Sequence, residues 1–476
     1  MPTRAVVIHG YSETSLSAYA EFPQVLREVA PELVDIILCA FDSLDDAITI
    51  DDLAGALEVR MRAVEGRPQW DTADSVFIAH STGALVARRW ILNRAAAGKA
   101  IPSHLITMAG ANHGSTLAQL GKTPLGYVHQ FLNKESLGVG AGVLTDLDYG
   151  SDFLLRLNRE WLALRNGDAT RNIKPNAAMQ KLFAFSMGGN YNGSKEYPEV
   201  NLLWASAESG SDSTVRMSGA NLNYTYLLAD AAAGTLEAVA SAPQAHLVVD
   251  GKSHYGEPTG ILASNTAPTD VPMQAIRQAL NVTTPPQYAD VVTDWTNRSH
   301  ALYAANPSDT NSTVVFFLRD QNGLPIDDCF IGFLNANTPG IDATQPDVQK
   351  SALVKALSAV SGAILSRQPI HNDVQRGSYS FYVNTERFDA IQTHAITISA
   401  STSTDYVTYG PLDYKVDNTL VERMVFPNQF TYVDIILPRI ATATFAIYEI
   451  TPWPPGTDRW MPFAPGGRFD PPPDAP

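Results

Sequence analysis

At 476 residues the chain exceeds one average domain, and 45% hydrophobic against 17% charged residues is the composition of a folded globular protein with material for a large core. A formal net charge of −16 argues against nucleic acid as a partner and against docking on anionic lipid by charge alone. Any contact with a membrane surface would have to be mainly apolar.

The chain opens with one basic residue, Arg4, and an apolar run that stops at His9-Gly10, short of a signal-peptide core. No apolar stretch approaches the length of a transmembrane helix. The expectation is therefore a cytoplasmic-type chain, peripheral if it meets a membrane. The two cysteines, Cys39 and Cys329, lie far apart in or beside apolar runs and read as free buried thiols.

Short β-branched runs at 5–8, 34–39, 75–79, 105–108, 182–187 and 245–249 alternate with helical patterns at 17–29, 53–64, 83–96 and 271–280. This is the rhythm of a parallel sheet with crossover helices. More than seventy residues separate the strands at 105 and 182, too many for a simple crossover. Helical spacing at 120–132 and 153–164 makes a cap insertion over about 115–180, either a lid or a fixed elaboration. Thr283-Thr284-Pro285-Pro286 reads as the end of a first domain, 1–285.

Beyond it, strand patterns at 313–318, 379–383, 395–400, 432–437 and 442–450, with one helix at 348–365, predict a β-rich, sandwich-like domain over 300–450. Residues 451–476 are dense in proline and carry Trp453, Trp460, Phe463 and Phe469. This tail cannot build a core and is either disordered or packed on a lipid interface or a sister subunit.

Chemistry concentrates at Ala79-His80-Ser81-Thr82-Gly83, where a strand runs into serine and then a helix. That is a nucleophile elbow with alanine at its first position, since only small side chains fit two residues either side of the strained serine. The fold class is accordingly an α/β-hydrolase domain, with helices on both faces of a mostly parallel sheet, followed by the β-rich domain. His9-Gly10-Tyr11-Ser12 ends the first strand, so the backbone N–H groups of Tyr11 and Thr82 are the candidate oxyanion hole.

Serine needs a base and the base an orienting carboxylate, in the chain order Ser, acid, His. Of ten histidines, His254 lies in a glycine-flanked loop just past a late strand, whereas His246 within that strand reads as packing. Glu208, Asp212, Asp230 and Asp250 are the available acids. Asp230 falls in a helix-like stretch and Asp250 is too near His254 to reach round the ring, which favours Asp212. His80 and His113 are candidates for a supporting shell, with a purely structural histidine equally open at His113. No cluster has metal-ligand spacing, and the chemistry requires no cofactor.

These residues resemble the PlaB family of bacterial phospholipases A, whose nucleophile lies in Thr-His-Ser-Thr-Gly. The segment differs here only in Ala79. His9-Gly10-Tyr11-Ser12, Ala111-Asn112-His113-Gly114-Ser115, Leu117-Ala118-Gln119-Leu120-Gly121-Lys122, Gly150-Ser151-Asp152, Glu208-Ser209-Gly210-Ser211-Asp212 and Ser253-His254 are also similar. Tyr255 stands where that family tends to have a small residue. The resemblance implies Ser81, Asp212 and His254 as the triad. It also implies phospholipase A and lysophospholipase activity, membrane association without a signal peptide, homo-oligomer formation and a β-rich C-terminal domain. A lipase or carboxylesterase for neutral esters, and a catalytically silent membrane- or protein-binding module, are the alternative readings.

Overall fold

The computed structural model describes residues 1–11, 15–115, 118, 140–169, 171–191, 208–231, 233–254, 259–262, 267–335, 363–366, 370–372, 374–391, 393–400, 407–410 and 424–441. The helical pattern at 120–132, most of that at 348–365, the strand at 442–450, Tyr255 and the aromatic tail lie outside these residues.

Six strands form an all-parallel sheet in the order β2-β1-β3-β4-β5-β8. They are β1 (Arg4–Ile8), β2 (Asp35–Cys39), β3 (Ser75–His80), β4 (His104–Met108), β5 (Phe183–Gly189) and β8 (Ala245–Val249). Each was legible as an apolar run because a parallel sheet is covered on both faces. Alternate side chains enter opposite cores. Val6 and Ile8 pack on one side, Ala5 and Val7 on the other. The order reverses between β1 and β3, and such a switch point leaves a crevice at the carboxyl ends of the strands.

Helices α1 (Phe22–Val29), α2 (Ile50–Glu65) and α3 (Gly83–Ala96) follow the first three strands. Phe22, Val25, Leu26 and Val29 make the buried stripe of α1 at helical spacing. Thr49 and Asp52 close a reciprocal capping box at the start of α2. The insertion contributes α4 (Ala141–Leu147) and α5 (Asp152–Asn166), the latter begun by a Ser151 cap on the Leu154 amide.

After α6 (Val271–Leu280), the residues expected to end the domain instead start a helix. Thr284 caps α7 (Pro285–Ala305), and the two prolines occupy its first turn, where no N–H is required. Trp295 of α7 is fully buried in the same core as Phe185 and Ile276, and its indole N–H donates to Gln278 at 2.8 Å. The layer begun at β1 therefore reaches Ala305, past the boundary expected at 285.

A second six-stranded sheet has the order β11-β12-β9-β15-β6-β7. It takes β6 (Tyr224–Asp230) and β7 (Thr235–Ala240) from inside the first 285 residues. Its other strands are β9 (Asn311–Asp320), β11 (Ile370–His371), β12 (Ser378–Asn384) and β15 (Phe430–Leu437). The alanine-rich stretch around Asp230 looked helical, but it is the end of a strand held parallel to β15 and antiparallel to β7. Across one face the antiparallel pair β10 (Cys329–Asn335) and β13 (Thr393–Ala400) shares a core with Val314, Phe316 and Val433. The other face presents Tyr224, Phe430 and Tyr432 to Tyr149 and Leu162 of the cap. A small pair, β14 (Val407–Tyr409) and β16 (Arg439–Ala441), completes the described strands. Both cysteines are free.

Because α7 belongs to the first core, Trp295→Ala should destabilise the protein by about 3–5 kcal/mol, the usual cost of emptying a buried aromatic site. Denaturant unfolding followed by circular dichroism checks this, and a chain ended at 285 should fail to give the same cooperative transition.

Candidate active site

The structure brings Ser81, His254 and Asp212 together from three distant parts of the chain. Ser81 follows β3 directly and has φ +54°, a left-handed backbone uncommon for a side-chain-bearing residue. The turn is pinned by Ser81 N–H to the Met108 carbonyl (3.2 Å) and by Ala111 N–H to the Ser81 carbonyl (3.2 Å). A Cβ on Gly83 would lie 2.3 Å from the His9 carbonyl oxygen, and one on Gly10 would lie 2.7 Å from Ser81 Cβ. Both positions admit only glycine for steric reasons, and Ala79 is fully buried on the preceding strand.

His254 lies past β8, its backbone N–H bonded to the Asp212 carbonyl at 2.9 Å. Its Nε2 stands 2.9 Å from Ser81 Oγ and its Nδ1 stands 2.9 Å from Asp212 Oδ2. The other carboxylate oxygen, Oδ1, accepts from the N–H groups of Thr214 (3.0 Å) and Val215 (2.7 Å). A carboxylate can only accept, so Nδ1 carries the ring proton and Nε2 is left as the acceptor for the serine hydroxyl. All three residues are buried. Asp230 ends β6 instead, and Asp250 accepts from the Asn190 side-chain amide.

His80 does contact the triad: its Nε2–H donates to the His254 carbonyl at 3.0 Å, and the two rings lie 4.9 Å apart. Burial, followed by the neighbouring His254, lowers its pKa to about 3, so it is neutral near pH 7. His113 is placed elsewhere. It stacks on Phe430 (4.8 Å) and its Nδ1 lies 3.0 Å from the Tyr432 hydroxyl, where the second sheet docks. Beside it the buried Arg88 donates to the Asn112 carbonyl and the Asn158 side chain, both at 2.8 Å. The contacts of His113 are thus those of a packing residue at this junction. His246 packs as expected, with Nδ1 2.9 Å from Ser186 Oγ.

Thr82 precedes α3 in helical conformation (φ −57°, ψ −30°), so its N–H belongs to the first turn, whose amides a helix does not use internally. Sequence reasoning overlooked His9. Its Nδ1–H donates to the Gly10 carbonyl (2.7 Å) while Nε2 accepts from Phe41 N–H (3.3 Å). Holding that carbonyl fixes the plane of the Gly10–Tyr11 peptide, and with it the direction of the Tyr11 N–H on the opposite side. The available signal was a histidine immediately before the glycine that faces the elbow. Among the described residues, no group of three or more His, Cys, Asp or Glu is arranged to hold a metal ion.

No family model and no curated protein matches the sequence. Solved structures do. Phospholipase PlaB from Legionella pneumophila is 24% identical over 95% of this chain and 97% of that one, with a TM-score of 0.76. The same protein in complex with thio-NAD gives 24% and 0.74 at the same coverage. A Bacillus licheniformis lipase, BlEst2 in mature form, is 16% identical over 59% of this chain and 93% of its own, with a TM-score of 0.38. The likeness to the first protein establishes a common fold, the α/β-hydrolase domain together with the second sheet.

Two outcomes follow from the site. Gly10→Ala should slow the reaction of Ser81 with a fluorophosphonate by roughly a hundredfold, the scale expected when a reacting group is displaced by about an ångström; labelling rates measure this. Stability should also fall in acid. Burial foremost depresses His80 and His246 to about 3, His104 to about 4 and His113 well below 6.5. As pH drops below about 6.5 the unfolded chain therefore takes up these protons before the folded one does, and stability is lost. Asp146, raised mainly by burial to about 6, and Asp389, also raised by burial, oppose this, but among the described residues they are two groups against four. His104→Gln should flatten the slope below pH 6.5 by up to about 1.4 kcal/mol per pH unit, read from denaturant unfolding at pH 5, 6 and 7.

Proposed function

We propose that the protein is a serine hydrolase that cleaves fatty-acyl esters of phospholipids and lysophospholipids through an acyl-enzyme. The reading is carried by the unbroken chain from Ser81 Oγ to His254 Nε2 and from His254 Nδ1 to Asp212, 2.9 Å at each step. As Ser81 Oγ attacks the acyl carbonyl carbon, His254 takes the hydroxyl proton and Asp212 stabilises the resulting imidazolium. The N–H groups of Tyr11 and Thr82 receive the negative oxygen, where each such donor is worth about a hundredfold or more in turnover. Collapse of the tetrahedral intermediate breaks the ester bond, and His254 returns its proton to the departing alcohol oxygen. Water then attacks the acyl-enzyme, giving its proton to the same imidazole, and the fatty acid leaves as Ser81 is restored. None of these steps needs a metal or cofactor.

Two observations support lipid esters as substrates. The motifs shared with the phospholipase A family run from His9 to His254, and the fold likeness to a protein named as a phospholipase covers 95% of this chain. We place the protein peripherally at the membrane and as a homo-oligomer on the same resemblance. Among the described residues no helix is long and apolar enough to cross a membrane. With a net charge of −16, contact with lipid would be through apolar side chains.

The test uses pure protein with phosphatidylcholine, lysophosphatidylcholine and tributyrin. Fatty acid release from at least one phospholipid is expected, together with fluorophosphonate labelling that disappears in Ser81→Ala. Turnover of tributyrin alone would move the substrate to neutral esters. A folded wild type that takes no label would leave a binding module without chemistry.

A further inference from the structure

The loop that carries Asp212 is built largely by residues outside the first sheet. Its two ends are joined by Glu208 and Arg216, whose carboxylate and guanidinium pair through two bonds of 2.8 Å. The fully buried Arg216 lies between the rings of Tyr149 (4.7 Å) and Tyr382 (4.1 Å), one from the cap and one from β12. Inside this closure Met217 N–H donates to the Gly210 carbonyl (2.9 Å), and Asp212 N–H donates to Val215 (3.1 Å).

The second sheet then grips the loop from below. The Tyr382 hydroxyl donates to the Ser209 carbonyl at 2.6 Å, and the Asn311 side-chain amide donates to the same oxygen at 2.9 Å. These two side chains also touch each other at 3.1 Å. Gly210 has φ +71°, and a Cβ there would come within 2.6 Å of Asn311 Nδ2. Nothing larger than glycine lets the loop sit this close to β9.

We infer that Tyr382 and Asn311 are positioning residues for the acid of the triad, holding the Ser209–Gly210 backbone so that Asp212 faces His254. The inference rests on the serine-hydrolase reading above. Asp212 reaches the imidazole through one oxygen while its other is tied to the amides of Thr214 and Val215, so the carboxylate moves with its loop. Ser209 lies three residues before Asp212, and the Tyr382 hydroxyl also reaches the next carbonyl, that of Gly210, at 3.3 Å. Among the described residues, the hydrogen bonds of the Tyr382 hydroxyl and the Asn311 amide to this site go to the loop and to each other rather than to Ser81 or His254, so both act through the loop.

The experiment uses the full chain carrying Tyr382→Phe, which keeps the ring over Arg216 and removes only the hydroxyl. Fluorophosphonate titration counts working sites, and kcat is expressed per titrated site. The expected result is a fall in kcat of about tenfold, with KM within about twofold of wild type. The acid limb of the pH profile should move to lower pH, because a poorly placed carboxylate stabilises the imidazolium less. Among the described residues, Asp212 and His80 are titratable groups that face that ring, and the substitution leaves both in place.

Asn311→Ala should act in the same direction, and the two changes together should fall short of the product of the single effects, because both remove a bond to one carbonyl. Tyr226→Phe is the control. It takes away a 2.7 Å bond to Asp434 in the same sheet, far along the strand from the loop, and should lower Tm without moving kcat per site or the acid limb. Tyr382→Phe with wild-type kcat per site and an unmoved acid limb overturns the inference, and if that variant does not fold, Asn311→Ala decides by the same two readouts. A wild type that the fluorophosphonate does not label overturns instead the hydrolase reading beneath it.

Discussion

The bond on which the site depends is the one between Asp212 and the His254 ring. It fixes which imidazole nitrogen holds the proton, and so whether Ser81 faces an acceptor or a second donor. A 2.9 Å contact leaves little tolerance for error, and the two partners come from loops attached to different sheets. Much of the remaining architecture restrains those loops. The His254 backbone is tied to the Asp212 carbonyl, His80 donates to the His254 carbonyl, and the amides of Thr214 and Val215 fix the carboxylate. His80 packs 4.9 Å from the His254 ring, and burial keeps it uncharged there.

The nucleophile side is restrained by volume as well as by hydrogen bonds. Gly10 and Gly83 let two backbones approach the elbow to distances that no side chain would permit. Such steric demands are local and leave a mark in the sequence. The elbow, the strand before it, the helix after it and the His9-Gly10 turn could all be read from a few adjacent residues. Chain order and loop chemistry pointed to His254 over His246 and to Asp212, whereas Asp230 was set aside on a helical reading that the structure replaces with a strand.

What escaped the sequence was long-range. The alanine-rich stretch through Asp230 has good helix formers, yet pairing with β15, some two hundred residues later, makes it a strand. The prolines at 285 and 286 suit either a linker or a helix start, and only the burial of Trp295 decides between them. His113 carried a motif near the nucleophile but proved to be a contact for Phe430 and Tyr432. Its neighbour Arg88 is a buried cation whose hydrogen bonds go to a carbonyl and an amide rather than to a carboxylate. Nothing in the spacing of a sequence announces such a junction, because each partner is ordinary by itself.

The position of β15 also has a consequence for the time at which the protein becomes competent. That strand lies between β9 and β6, near the centre of its sheet, although it is among the last described segments to be synthesised. While a ribosome is still extending the chain, β6 has no neighbour on that side and the floor under the junction is absent. Pairings this distant close slowly, after the local helices and the first sheet have formed. Ser81 is thus made early, whereas the sheet that completes its surroundings is made late.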